Sequence, residues 1–168
     1  MGRRVPARGV AKPTRLSHYD SHGKVRMVDV TGKAPTQRTA VATGFVRISP
    51  QALRGLPKNP KGDPLEIARI AGIAAAKRTS ELIPLCHPLP LSHIDVRARV
   101  CENGVELVAT VTTTASTGVE MEALTAVSVG ALTVYDMCKA MDPAMEITGI
   151  VLLEKKGGRR GTYRRTAN

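Results

Sequence analysis

A chain of 168 residues is long enough for one domain with its own core, plus short unstructured ends. With 42% hydrophobic residues but only 2% aromatics, no Trp and a single Phe, that core has to be built from Val, Leu, Ile, Ala and Met. The net charge of +11 (25 Lys and Arg against 14 Asp and Glu) points to a polyanionic partner of some kind, whether nucleic acid, acidic membrane or a phosphorylated small molecule. Much of the excess charge sits at the two ends, and the interior is closer to neutral.

Three scattered cysteines, Cys86, Cys101 and Cys138, with no CxxC pair, fit reduced thiols rather than a disulfide frame, and they argue against a zinc site. The first twenty residues lack the apolar stretch of a signal peptide, and no run of about eighteen apolar residues occurs. The expectation is a cytoplasmic protein with no membrane partner.

In chain order, Arg38 to Ile48 is rich in β-branched and small residues and reads as a strand. SPQALR follows as a short helix with Pro50 at its first position. Asp63, Pro64 and Glu66 supply a cap, a first-turn proline and a capping-box acid, which predicts a helix from Leu65 to Leu82. Pro84, Pro88 and Pro90 then exclude helix and central strand, leaving a rigid extended loop that carries His87. Ile94, Val96, Ala98 and Val100 alternate against Asp95, Arg97 and Arg99; Asn103-Gly104 turns; Val105, Leu107, Ala109 and Val111 alternate again. Thr117 to Asp142 reads as one long helix, and Ile147 to Leu153 as a closing strand.

This order predicts an α+β, ferredoxin-like β-α-β-β-α-β fold, an antiparallel sheet with helices on one face. Domain boundaries are expected at a flexible basic extension over 1–21, a catalytic domain over 22–158 and a basic tail over 159–168. RNA-recognition modules share the topology but stack bases on strand aromatics, and these strands offer only Phe45. A small basic nucleic-acid-binding domain using its Arg-rich ends therefore stands as the alternative to an enzyme.

The long helix is apolar or small almost all round, yet it carries charges. Thr117-x-x-Glu120 fits a capping box, so Glu120 is open to two readings, helix cap or functional acid. Glu122 has no capping role. Asp136 and Lys139, spaced i, i+3, pair on one face, and a helix too apolar to be a surface element places them in a partly dry site suited to acid-base work. Glu122 lies fourteen residues before Asp136, about 21 Å along the axis, so the two cannot meet within one helix. An antiparallel two-fold pair of these helices would let Glu122 of one subunit approach the Asp136/Lys139 pair of another. Lys61 before a helix N-terminus, His87 in its stiff loop, Arg38, and Lys155 in a Lys-Lys-Gly-Gly turn are further phosphate-ligand candidates, with a solvated charge run as the plain reading of the last.

With those residues in view, the sequence resembles the cyclic pyranopterin monophosphate synthases, the molybdenum cofactor biosynthesis protein C family. The resemblance rests on MVDVTGK (27–33), KGD (61–63), ARIAGIAAAKRT (68–79), LIPLCHP (82–88), TGVEMEALTA (117–126) and YDMCKA (135–140). It implies a lyase that converts (8S)-3′,8-cyclo-7,8-dihydro-GTP to cyclic pyranopterin monophosphate with release of pyrophosphate. It also implies no cofactor, no metal, and a homohexamer built as a trimer of dimers with the active site at the dimer interface. By motif, the implied catalytic residues are Lys61, Asp136 and Lys139, and the implied substrate-binding residues are Arg38, His87, Glu120, Met121, Glu122 and Lys155. Ser116 stands where the family often has a basic residue, which implies one phosphate contact fewer.

Overall fold

The computed structural model describes residues 18–20, 22–158 and 161–166. The element order is β1 (Thr36–Arg47), α1 (Pro50–Gly55), a 3-10 turn (Leu56–Lys58), α2 (Pro64–Lys77), α3 (Thr79–Leu82), β2 (Leu91–Cys101), β3 (Gly104–Ala115), α4 (Glu120–Cys138), β4 (Glu146–Lys156) and β5 (Tyr163–Arg164). The five strands form one sheet in the order β2-β3-β1-β4-β5, and every pairing is antiparallel. This is the expected α+β, ferredoxin-like arrangement, with the two-residue β5 added at one edge.

Period-two alternation makes the sheet amphipathic. Along β1, Ala40, Ala42, Gly44 and Val46 are buried, while Val41, Thr43 and Phe45 between them are only half-buried. α4 packs against β1, β3 and β4, and α2 against β2 and α4. Between them they bury Val96, Leu107, Val111, Ala123, Val127 and Val134. The two helices approach closely at Gly72, where a Cβ would stand 2.9 Å from the Ala126 backbone oxygen.

The short-range signals act as expected at several ends. The Ser49 side chain accepts from the Ala52 N–H ahead of Pro50, and Asp63 accepts from Leu65 and Glu66 ahead of Pro64. The β2–β3 turn falls at Glu102-Asn103, one residue ahead of the expected Asn103-Gly104, with Gly104 already paired to Cys101 at the start of β3.

Three expectations are corrected. The helix expected from Leu65 to Leu82 breaks at Arg78 (φ −110°, ψ 13°), and Thr79 opens a separate turn with its hydroxyl turned back on the Ala75 and Ala76 carbonyls. The long helix spans Glu120–Cys138, not Thr117 to Asp142; its N-cap is Val119, with no side-chain cap, so the capping box does not form. The proline loop is not extended throughout, since the Cys86 N–H closes a turn on the Ile83 carbonyl.

Most of the extension expected over 1–21 lies outside the described residues. Its last part, His18 to Asp20, is set against the domain by a Tyr19–Val25 bridge and by the Arg26 N–H on the His18 carbonyl. Within 159–168, Tyr163 and Arg164 pair with β4.

Candidate active site

Antiparallel pairing brings three strand ends to one place. Arg38 near the start of β1 lies opposite Thr113 near the end of β3, and Ala40 lies opposite Lys155 near the end of β4. The start of α4, the proline loop and residues 28–33 close around these ends to leave a cavity of about 660 Å³. Arg38, His87, Glu120, Met121, Glu122 and Lys155, the six side chains expected to bind substrate, all line it.

Each is held by its neighbours. Arg38 donates Nε to the Ala115 carbonyl at 2.9 Å and Nη2 to the Ser116 carbonyl at 3.2 Å. The Gly157-Gly158 turn lies directly over it: both glycines have positive φ (94° and 76°), and a Cβ on Gly158 would fall 2.2 Å from Arg38 Nη1. His87 Nε2 sits 2.8 Å from the Val28 carbonyl, which can only accept, so this nitrogen carries the proton. Glu120, free of any capping role, binds Lys155 Nζ at 2.9 Å with both side chains about a third exposed.

Glu122 differs from the rest. It is only 4% exposed, and its Oε2 has no hydrogen-bond partner among the described residues. Burial, reinforced by the neighbouring Glu120 charge, pushes its carboxyl above the usual carboxylate range despite a backbone hydrogen bond that works the other way. A buried acid with an open oxygen in a cavity wall is suited to bonding a ligand's polar edge or to carrying a proton.

Lys61 joins the Asp136/Lys139 pair, away from this cavity, at the other end of α4. Lys139 Nζ donates to Asp136 Oδ1 at 2.6 Å. Lys61 Nζ donates to the Asp136 carbonyl at 3.0 Å and lies 3.6 Å from Oδ2. The Lys139 hydrogen bond and charge, with Lys61 behind them, hold the Asp136 carboxyl below its ordinary range; in return Asp136 raises Lys139. The expectation of a partly dry setting does not hold within one chain. The three side chains are 44%, 61% and 54% exposed, on the side of this helix end that the described residues leave open.

Sequence reasoning did not single out several residues of the site. Lys33 and Cys86 also line the cavity, Lys33 at the end of the quoted MVDVTGK motif, while Lys156 there belongs to the Lys-Lys-Gly-Gly turn that the sequence did offer. Asn59 bridges the Lys61 loop to α4, donating Nδ2 to the Met137 carbonyl at 2.9 Å and accepting the Lys61 N–H at 3.0 Å. Its place in the NPKGD stretch ahead of α2 was the available signal. Phe45 lies apart from the cavity, in a groove with Arg47, Ser49, Pro50 and Asp142. No group of three or more His, Cys, Asp or Glu side chains able to hold a metal ion occurs among the described residues. No helix among them is long and apolar enough to cross a membrane.

Comparison with known proteins agrees with the motifs. A family model described as the MoaC family matches residues 27–158. The chain is similar to cyclic pyranopterin monophosphate synthase 1 of Mycobacterium tuberculosis (strain ATCC 25618 / H37Rv), 58% identical over 156 residues that cover 91% of this chain and 92% of the relative. It is also similar to the cyclic pyranopterin monophosphate synthases of Chloroflexus aggregans, 56% identical over 90% of this chain and 94% of the relative, and of a Roseiflexus species, 57% identical over 88% and 96%.

Proposed function

The chain belongs to the MoaC family, and from that premise we propose the reaction, the residue roles and the assembly that follow. It is an enzyme of molybdenum cofactor biosynthesis with the activity of a cyclic pyranopterin monophosphate synthase. It acts as a lyase on (8S)-3′,8-cyclo-7,8-dihydro-GTP, rearranging the purine-derived ring and releasing pyrophosphate. The observation that carries this reading is identity of 56–59% spread over about nine-tenths of the chain, with coverage of the relatives equally full.

The site's chemistry fits such a reaction. Forming the cyclic phosphate requires a hydroxyl oxygen to attack the α-phosphorus while its bond to the β-phosphate oxygen breaks and pyrophosphate leaves. The cations Arg38 and Lys155, with the His87 ring beside them in the cavity wall, suit the charge that builds on those oxygens. Ring opening and reclosure need proton carriers, and Lys61, Asp136 and Lys139 are amines and an acid in mutual contact. Met121 and Glu122 at the opening turn of α4 would hold the ring system.

One chain holds these groups about 21 Å apart along α4, by the rise of fourteen helical residues, so the site is read as shared between two subunits. A stripe on α4 supports this. Met121, Ser128, Leu132, Tyr135 and Lys139 lie within about 40° of one direction on the helix. The stripe includes Leu132 at 58% exposure and Met121 at 37%, and it runs from the cavity to the Lys139 cluster. Antiparallel contact of two such stripes about a two-fold axis near residue 130 would cover the apolar side chains. It would also place the Lys61/Asp136/Lys139 group of one subunit at the other's cavity. Three such dimers would form the hexamer, and the enzyme would work in the cytoplasm.

The test is to incubate the purified protein with the cyclic dihydro-GTP substrate and follow pterin product and pyrophosphate together. Stoichiometric appearance of both is expected. Absence of product from folded, assembled protein would overturn the reading, and salt-resistant nucleic-acid binding in its place would favour the alternative.

A further inference from the structure

The inward row of β3 runs Val105, Leu107, Ala109, Val111 and then Thr113, each 0% exposed. A hydroxyl at the end of a buried apolar row has to find a partner. Thr113 Oγ1 donates to the Pro90 carbonyl at 2.7 Å, so the last residue before β2 is bonded to the neighbouring strand. The strand pairing there is irregular. Leu91 lies opposite Thr113 and His93 opposite Thr112, which leaves Ser92 as an extra residue, its hydroxyl on the Thr112 carbonyl at 3.1 Å. A bulge of this kind bends its strand and re-aims the chain that leads into it.

Between Pro90 and His87 the backbone has little freedom. Proline fixes φ at Pro88 and Pro90, and each proline confines the residue before it, His87 and Leu89, to extended backbone. The four residues from His87 to Pro90 therefore act as one stiff arm of about 9 Å, at ~3.1 Å per residue. Thr113 holds one end of the arm through the Pro90 carbonyl. The other end carries the imidazole in the cavity wall, with its Nε2–H on the Val28 carbonyl at 2.8 Å. On an arm of that length a tilt of about 10° at Pro90 moves His87 by about 1.5 Å, enough to break that hydrogen bond.

We propose that Thr113 is a positioning residue for His87: its hydroxyl fixes the exit of the proline loop, and Pro88 and Pro90 carry that constraint to the imidazole. The effect on turnover rests on the functional reading above, whereas the placement of the ring does not. Thr113 itself touches neither the cavity nor the reacting atoms and acts only through the arm.

The test compares wild type with Thr113→Val, Thr113→Ser and the double variant Pro88→Ala/Pro90→Ala, which frees the arm but keeps the carbonyl that the Thr113 hydroxyl bonds. Each is measured for kcat/KM on the cyclic dihydro-GTP substrate. Each is also measured by NMR for the exchange rate of the His87 ring N–H, in protein with isotope-labelled histidine and with the signal assigned by its absence from His87→Gln. Thr113→Val and the double proline variant should lower kcat/KM about ten- to a hundredfold, the cost of about 1 Å of misplacement, and should speed ring N–H exchange several-fold. Thr113→Ser keeps the hydroxyl and should restore most of both. Wild-type values in Thr113→Val would overturn the proposal, as would Thr113→Ser impaired as far as Thr113→Val. A loss of turnover with ring exchange unchanged would overturn it too, because Thr113 would then act elsewhere. If Thr113→Val fails to fold, the proline variant decides, and unchanged ring exchange there overturns the proposal. A wild type without turnover would remove the functional reading, while ring exchange would still decide whether Thr113 places His87.

Discussion

Removing Asn59 tests whether the Lys61 loop is clamped to α4 or merely lies beside it. An α-helix leaves its last carbonyls without internal partners. At the end of α4, two of these are met from outside, the Asp136 carbonyl by Lys61 Nζ and the Met137 carbonyl by Asn59 Nδ2. Asn59→Ala removes the second bond and also the acceptor for the Lys61 N–H. A typical internal hydrogen bond is worth a net ~0.5–1.5 kcal/mol. The Lys61 amide is exposed and water replaces its partner, whereas the Met137 carbonyl is partly buried, so the cost should be ~1–2 kcal/mol in all. At this chain length that lowers the melting temperature by about 2–8 °C, measurable by differential scanning calorimetry. Loosening the Lys61 loop by even about 1 Å should also lower kcat/KM by about ten- to a hundredfold, read from pyrophosphate release. Asn59→Asp sharpens the test, since it keeps the acceptor but turns a carboxylate toward a helix C-terminus, where negative charge is unfavourable by ~0.3–1 kcal/mol. It should therefore melt below Asn59→Ala. A variant Asn59→Ala that melts within about 1 °C of wild type with full turnover would refute the clamp.

Lys61→Ala and Lys139→Ala should each abolish turnover while leaving the melting temperature nearly unchanged, because exposed ion pairs contribute little to stability; near wild-type product formation by either would remove it from the proton-carrying group. Glu122 links assembly to pH. In the single chain burial raises its folded pKa, so the stability contributed by its neutral form is present below the usual glutamate range and lost as pH rises through the raised value. If partner lysines meet it on assembly, the separate subunit holds a proton that the dimer releases, and association should tighten as pH rises above the ordinary glutamate range. Analytical ultracentrifugation should show that slope in wild type and its loss in Glu122→Gln; equal slopes would mean that Glu122 meets no cation across the interface.

What the sequence makes legible here follows the range of each interaction. The β2–β3 hairpin is local in every part: strict alternation, a turn at Asn103 and inward Val96 facing inward Ala109. The starts of α1 and α2 are equally local, set by Ser49-Pro50 and Asp63-Pro64. The start of α4 is not. Thr117 and Glu120 have capping-box spacing, but Lys155, thirty-five residues on, takes the Glu120 carboxylate and the box does not close. The break at Arg78 is likewise invisible to composition, since ARIAGIAAAKRT is helical by propensity throughout.

In the site, the six cavity side chains and the Lys61 group were named from motifs, while helical rise alone separated Glu122 from Asp136. Asn59 was passed over because its contact is to the Met137 backbone carbonyl, which no side-chain pattern encodes. The partly dry setting expected for Asp136 and Lys139 rests on a helix apolar on more faces than one chain covers, so it depends on a neighbouring subunit and is not met in the single chain, where both are exposed.

Mixing two inactive variants tests the shared site most directly. Glu122→Gln and Lys139→Ala protein, combined in equal amounts under conditions of subunit exchange confirmed by native mass spectrometry, should form hybrid dimers with one site carrying both lesions and the other intact. With half of the dimers hybrid and half of the sites in each restored, activity should rise to about a quarter of wild type. Asp136→Ala mixed with Lys139→Ala should stay inactive, because those lesions lie on one helix end and spoil both sites of every hybrid. Recovery in the first mixture alone is the predicted result; an inactive first mixture with exchange confirmed would contradict the shared site and leave the two ends of α4 as separate features.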